Sequence, residues 1–227
     1  MGADHGRIAR HIKRNEFDER FKITDPFIGA GSNLQPHSDT VPTDPILMVR
    51  KSVTGREAKE IRWGLIPPAF DDKMVKQRTN SCARLDKLKG GLPWWRDPFR
   101  AGQTCLVPVT GYYEWAGPPR NQTRYYFCRP SGALFVFAGL WQRHPTMGES
   151  ATIITTDPND YVAKIHDRTP IWLSEDKWDA WLTRPTLEML QQPTDDDLEA
   201  FPVRNKINDD APESSIVPEL PRQRQLL

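Results

Sequence analysis

Four strand-forming segments follow one another between residues 104 and 156, and they limit the chain to a fold with a β-rich core. Each segment is rich in β-branched and aromatic residues, which favour extended backbone. The segments are TCLVPVTGYYEW (104–115), RYYFCR (124–129), ALFVFAGLW (133–141) and ATIITT (151–156). Breaks that contain Gly or Pro separate the first three, and residues 142–150 separate the third from the fourth.

Two further strands are predicted nearer the beginning of the chain. They are ILMVR (46–50) and EIRWGLIP (60–67), joined by a turn around Gly55. Between about residues 23 and 45 the sequence is rich in Pro, Ser, Asp and Gly, which predicts a loop. Residues 71–102 are charged, mixed and turn-rich.

Two segments have the pattern of short helices. NEFDERFK (15–22) predicts one helix with Asn15 as its N-cap, and SEDKWDAWL (174–182) predicts another with Ser174 as its cap. The second helix places three apolar residues on one face: Trp178, Trp181 and Leu182. The 21 prolines favour short elements over long helices.

These elements predict one α+β domain over residues 1–208, because neither an internal repeat nor a linker interrupts them. Residues 209–227 are first acidic and then basic and proline-bearing, so we expect a flexible C-terminal tail.

Composition excludes several classes of protein. The formal charge of +1 does not indicate a nucleic-acid-binding protein as a whole, although a local patch can still bind phosphates. Cys82, Cys105 and Cys128 fit no zinc spacing, their odd number makes a poor disulfide framework, and the five histidines are scattered. We therefore expect neither a metal nor a cofactor. No signal peptide or apolar run of membrane-spanning length is present, which predicts a cytoplasmic protein.

Two titratable residues stand out as candidates for acid–base chemistry. His166, in IHDRTPIWL (165–173), can exchange a proton near neutral pH. The alternative is an interior histidine with satisfied hydrogen bonds, followed by Asp167 and Arg168 in a surface turn. Glu114, in GYYEW, lies among aromatic residues whose packing would raise the pKa of its carboxyl and make it a usable acid or base. Its alternative is an exposed carboxylate.

The segment RTNSCARLD (78–86) combines Asn80, Cys82 and Arg84. The Arg84 guanidinium could bind a phosphate through two hydrogen bonds or pair with Asp86. Trp63, in RWGLIP, could be a stacking platform for a base or a core residue.

In chain order, the motifs WGLIP, CAR followed by an acid, GYYEW, IITT, IHDRTPI and FPVRNKIND resemble the SOS response-associated peptidase (SRAP) family from about Gly6 to Asn208. The resemblance implies a barrel-like, mainly antiparallel β core with flanking short helices and a positively charged groove for single-stranded DNA. It also implies binding of abasic sites, whose ring-opened aldehyde is attacked by an N-terminal cysteine that closes to a thiazolidine.

The resemblance assigns roles to particular positions. Glu114 and His166 match the assisting glutamate and histidine, and Thr155 matches a threonine close to that histidine. The remaining matches imply contacts with DNA, and they are Arg7, Asn33, Pro36, Trp63, Arg84 and Arg168.

The chain departs from the family pattern at the nucleophile. His5 stands where the N-terminal cysteine is expected, and Cys82 replaces the family's asparagine, with Asn80 two residues earlier. A thiazolidine needs an amine and a thiol on one residue, so a stable crosslink is not expected. If Met1 is removed, the α-amine of Gly2 titrates near pH 8 and can form a reversible imine and support strand cleavage.

We therefore expect a monomeric protein that binds single-stranded DNA at abasic sites, with imine or lyase chemistry. Two alternatives stay open. The first is a catalytically inactive DNA-binding module. The second is a peptidase-like hydrolase in which Cys82 is the nucleophile.

Overall fold

The structure, a computed structural model, describes residues 6–27, 34–77, 80–118, 120–194 and 196–203. The strands in these ranges are β1 (Arg7–Arg10), β2 (His37–Thr40), β3 (Pro45–Lys51), β4 (Arg56–Trp63), β5 (Cys82–Arg84), β6 (Thr104–Val109), β7 (Gly111–Ala116), β8 (Thr123–Cys128), β9 (Phe135–His144), β10 (Gly148–Thr156), β11 (Thr169–Pro170) and β12 (Glu199–Val203). The α-helices are α1 (Arg14–Phe21), α2 (Asp72–Gln77), α3 (Leu85–Lys89), α4 (Pro93–Arg100) and α5 (Trp178–Thr183). Single 3₁₀ turns lie at Val162–Lys164, Glu175–Lys177 and Leu187–Met189.

Five strands pair in a closed ring, in the order β10-β4-β3-β6-β9 and back to β10. All of these pairings are antiparallel except that of β10 with β4, which is parallel. Beyond the ring, β10 pairs with β5 on one side and with β11 on the other. This extension of β10 brings three distant parts of the chain together.

The second sheet has the order β12-β8-β7-β1-β2, and each of its pairings is antiparallel. The segment 104–115, predicted as continuous strand, divides at Thr110: β6 belongs to the ring and β7 to the second sheet. The first residue of β7, Gly111, has no room for a side chain, because a Cβ there would lie 2.3 Å from the Tyr126 ring. The chain thus crosses between sheets three residues before Glu114.

Alternate residues of the ring strands face two apolar cores. Met48 and Phe137 pack with Tyr112 of the second sheet, whereas Leu47 and Val136 join a core that includes the helical residues of α1 and α5. Both faces of these strands are therefore buried, as their nearly continuous hydrophobic sequences require.

Several element boundaries differ from the sequence-based predictions. Helix α1 is present, but its N-cap is Lys13 rather than Asn15. Strand β4 ends at Trp63 because Gly64 adopts a φ of +120°, which turns the chain before Pro67. The predicted loop at 23–45 includes β2, the turn-rich region 71–102 forms three short helices, and Cys82 lies on a strand.

The C-terminal helix follows its predicted pattern. Ser174 precedes a 3₁₀ turn that leads into α5, although its side chain makes no capping hydrogen bond. Trp178, Trp181 and Leu182 are buried as expected.

The fold is thus α+β, with a barrel-like, mainly antiparallel core and short helices, as predicted. The predicted tail at 209–227 lies outside the described residues. Within the described part of the chain, no helix is both long and apolar enough to span a membrane.

Candidate functional site

The side chains of Glu114 and His166 lie close together in the fold. The Glu114 Oε2 atom lies 3.5 Å from His166 Nε2, and the two side chains are 10% and 32% exposed. Strand β7 carries Glu114, whereas His166 ends the 3₁₀ turn that begins at Val162, with its N–H donating to the Val162 carbonyl. A partly buried carboxylate beside an accessible imidazole can exchange a proton with a bound molecule.

The main chain orients the His166 ring. Its Nδ1 atom lies 3.2 Å from both the backbone N–H and the carbonyl oxygen of Arg168. The other ring nitrogen, Nε2, faces Glu114. The outer side of the ring also approaches Asp167, whose exposed carboxylate lies 3.6 Å from Nδ1.

Arg168 is engaged by protein groups. Its guanidinium binds the Asp157 carboxylate at 2.5 Å and the Thr155 carbonyl at 3.0 Å, and it lies 3.8 Å from Asp86. Only 14% of the side chain is exposed. These contacts tie the His166 loop to β10 and hold the imidazole in place.

Arg84 is at once ion-paired and accessible. Its Nε and Nη2 atoms donate to the two oxygens of Asp86, at 3.0 and 3.2 Å, while its side chain remains 54% exposed. The hydrogen bond from Arg84 lowers the pKa of the Asp86 carboxyl. Strand pairing places Arg84 opposite Thr155, which is itself opposite Pro170. The structure thus brings the predicted Arg84, Thr155 and His166 segments to one end of β10.

The Ser81 carbonyl anchors the segment that leads into β5. It accepts hydrogen bonds from the Trp63 indole N–H, the Thr152 hydroxyl and the Ile153 N–H, at 2.9, 2.9 and 3.0 Å. These three donors fix the start of β5, where Cys82 carries a half-buried thiol.

Two residues of the predicted site have structural contacts instead. Trp63 is 1% exposed, so its ring cannot stack on a base, and its proposed role as a platform is wrong. Asn80 donates from its side-chain amide to the Leu65 carbonyl at 3.1 Å and has a φ of +45°, so its amide holds the local turn.

The beginning of the chain enters beside Glu114. Arg7 of β1 is opposite Tyr113 of β7, so Gly6 leads into the sheet at the level of Glu114. A Cβ on Gly6 would lie 3.6 Å from the Trp63 ring. Gly2, His5 and Asn33 lie outside the described residues, and Pro36 is exposed just before β2.

Two residues of this region carry no signal in the sequence. Asp39 accepts hydrogen bonds from both Arg7 and Arg124, at 2.5 Å each. Arg124 is 85 residues from Asp39 and lies in a strand-forming segment, so only tertiary contacts reveal the pair.

The thiols of Cys105 and Cys128 are poor nucleophiles, because burial raises the pKa of Cys105 to about 12 and that of Cys128 to about 11. Among the described residues, no group of three or more His, Cys, Asp or Glu side chains could hold a metal ion.

Comparison with known proteins identifies the family. The model of the SOS response associated peptidase (SRAP) family matches residues 5–210. The abasic site processing protein YoqW of Bacillus subtilis is 34% identical over 215 residues, which cover 89% of this chain and 93% of YoqW. The Xenopus tropicalis abasic site processing protein HMCES is 28% identical over 211 residues, 78% of this chain and 61% of HMCES.

Solved structures show the same fold. A Bordetella bronchiseptica protein of known crystal structure superposes with a TM-score of 0.74, covers 88% of this chain and 99% of its own, and is 24% identical. A Bacteroides thetaiotaomicron protein gives the same TM-score at 21% identity, with 88% of this chain and 92% of its own covered. The fold is therefore shared with these proteins, and the family match extends over nearly the whole chain. This protein belongs to the SRAP family.

Proposed function

We propose that this protein binds single-stranded DNA and reacts reversibly with the aldehyde of an abasic site. The observation that carries the proposal is the 3.5 Å approach of Glu114 and His166 at the point where the beginning of the chain enters the second sheet. The names of the relatives, abasic site processing proteins, support the choice of substrate.

The nucleophile in this proposal is the α-amine of Gly2, exposed when Met1 is removed. Gly6 is the fourth residue after Gly2, and an extended chain of that length spans about 14 Å. The amine therefore has the reach to meet an aldehyde held beside Glu114.

The reaction is the condensation of an amine with an aldehyde. The nitrogen attacks the aldehyde carbon, the carbonyl oxygen takes a proton, and the resulting hydroxyl leaves as water when the C=N bond forms. Glu114 takes the proton that the attacking nitrogen loses and returns it to the carbonyl oxygen. Protonated His166 then donates its Nε2 proton to the departing hydroxyl, and the ring recovers a proton from the nitrogen as the neutral imine forms. Hydrolysis reverses the step, since no thiol is available on the same residue to trap the imine.

The proposed DNA-binding surface uses exposed basic groups near this site. Arg84 is 54% exposed and can exchange Asp86 for a phosphate, which its forked guanidinium binds well. Arg7, which is opposite Tyr113 in the second sheet, is 38% exposed. Pro36 contributes an exposed apolar surface, and Arg168, which is held by protein groups, positions His166 rather than the DNA.

Borohydride trapping tests this function. The full chain is incubated with an abasic single-stranded oligonucleotide, and hydride reduces any imine to a stable secondary amine. A covalent band is expected that vanishes when the α-amine is acetylated. If the oligonucleotide binds and no band forms, the protein is an inactive DNA-binding module.

Cys82 supports a second candidate, a peptidase-like hydrolase. Its thiol is half-buried at the start of β5, whose strand pairing places Arg84, two residues further on, opposite Thr155. Hydrolysis of peptide substrates that is lost in Cys82→Ala, and unaffected by acetylation of the α-amine, would support this candidate over the imine reaction.

A further inference from the structure

Arg7, Asp39 and Arg124 form an ion-paired group, here called the Asp39 triad, on the face of the second sheet that carries the Tyr113 and Trp115 side chains. The Asp39 Oδ2 atom lies 2.5 Å from Arg7 Nη1, and its Oδ1 atom lies 2.5 Å from Arg124 Nη2. Two cations thus share one carboxylate, and the triad carries one net positive charge.

The two arginines differ in their access to solvent. The Arg7 side chain is 38% exposed, whereas that of Arg124 is 1% exposed and Asp39 is 15% exposed. The Arg124 guanidinium lies 3.8 Å from the centre of the Tyr113 ring and 5.3 Å from that of Trp115. Only Arg7 can reach a molecule outside the protein.

The burial of the Arg124 guanidinium costs hydration free energy. Among the described residues, its Nε atom has no hydrogen-bond partner. A buried cation with an unfilled donor destabilises the fold unless its attraction to a nearby anion offsets the loss of hydration. The anion here is Asp39, which Arg7 alone could have neutralised.

We propose that Arg124 is a buried counter-charge that frees Arg7 to bind a phosphate of single-stranded DNA. This inference rests on the proposed function. If Arg7 were the only partner of Asp39, its movement to a phosphate would leave a half-buried carboxylate unpaired. Because Arg124 stays in place, Asp39 keeps a partner while Arg7 exchanges a carboxylate for a phosphate.

The salt dependence of DNA binding tests the proposal. Each phosphate contact on a single strand contributes about 0.7 to the slope of log affinity against log salt. In Arg124→Met, Asp39 retains Arg7, so we expect the slope to fall by about 0.7 and the affinity at 0.1 M salt to fall about fivefold. The double variant Asp39→Asn/Arg124→Met should recover both values, because no carboxylate then holds Arg7.

Two further variants separate this role from a structural one. In an Arg7→Met background, Arg124→Met should change neither slope nor affinity. Arg50 offers a matched control, since it is also a buried cation, 3.9 Å from the centre of the Trp141 ring and paired with Glu57 and Glu149. Arg50→Met should keep the full salt slope.

The outcomes distinguish the inference from the proposed function. If the wild-type chain fails to bind a single-stranded oligonucleotide, both are overturned. If it binds and Arg124→Met keeps the wild-type slope, only the inference falls. A loss in Arg124→Met that Asp39→Asn does not restore indicates damage to the fold and also overturns the inference.

Discussion

The pairing of His166 with Glu114 depends on single hydrogen bonds from the main chain. The Arg168 main chain contacts His166 Nδ1, and the Arg168 side chain anchors the loop to Asp157 and to the Thr155 carbonyl. A ring held from behind in this way loses little freedom when a substrate binds, because its orientation is already set.

Replacement of Glu114 tests its part in proton transfer. Glu114→Gln keeps the size of the side chain but cannot accept a proton, so we expect the rate of imine trapping to fall by about 10²- to 10⁴-fold. Single-turnover trapping with abasic single-stranded DNA measures this rate.

The matched control for this variant is Glu188→Gln, which changes an exposed carboxylate elsewhere on the chain. Its trapping rate should equal that of the wild type. An unchanged rate in Glu114→Gln would remove Glu114 from the proposed reaction.

A buried ion pair joins the second sheet to the ring of strands. Arg10 of β1 donates to Glu60 of β4 at 2.9 Å and to the Gln35 carbonyl at 3.0 Å. Burial lowers the pKa of Arg10, while Glu60 opposes that effect. The pair fixes how β1, and therefore Arg7, lies relative to the ring.

Removal of one partner of the Arg10–Glu60 pair should lower the free energy of unfolding. Arg10→Met leaves the Glu60 carboxylate without its cation, and loss of one half of a buried pair costs about 3 kcal/mol. The double variant Arg10→Met/Glu60→Leu should recover most of that loss, as measured by urea unfolding. A double variant that is no more stable than Arg10→Met would show that the pair itself is not the cause.

Glu149 links three strands of the ring and predicts a response to acid. Burial disfavours its carboxylate, but the hydrogen bond from Lys59 and the charge of Arg50 outweigh this and lower the pKa of Glu149. Because the pKa is lower in the folded state, the stabilisation is present above the pKa of the unfolded chain, about 4.3, and is lost as pH falls through the folded value.

The free energy of unfolding should therefore fall less between pH 7 and pH 3 in Glu149→Gln than in the wild type. Urea unfolding at several pH values measures the difference. Glu16→Gln, which alters an exposed carboxylate on α1, provides the comparison. Identical pH profiles for wild type and Glu149→Gln would contradict the assignment.

At the scale of the whole molecule, the two sheets share one apolar core. Ile8 and Tyr112 of the second sheet pack in the same cluster as Met48 and Phe137 of the ring. Neither sheet can bury its inner face without the other, so we expect one cooperative unfolding transition.

Far-ultraviolet circular dichroism and tryptophan fluorescence should then report the same midpoint in urea. Tryptophans lie in both sheets, Trp63 and Trp141 in the ring and Trp115 in β7, so fluorescence reports on the unfolding of both sheets. Two separated midpoints would show that the sheets unfold independently.

The sequence alone predicted the elements whose character is local. The strands at 46–50 and 124–129 and the buried face of α5 follow from side-chain periodicity, which depends only on neighbours along the chain. The motif order was enough to suggest the family. The division of residues 104–115 between two sheets was not predictable, because it depends on strand partners that are distant in sequence, such as Tyr126, which packs against Gly111.

Residue types and their order along the chain determined the strongly patterned strands and the buried face of α5, the α+β class and the two groups most suited to proton transfer. Tertiary structure decided that Glu114 and His166 lie 3.5 Å apart, that Trp63 is buried, and that Arg124 shares Asp39 with Arg7. The physical reason is range: propensity and periodicity act over a few residues, whereas burial and ion pairing depend on groups that only the folded chain brings together.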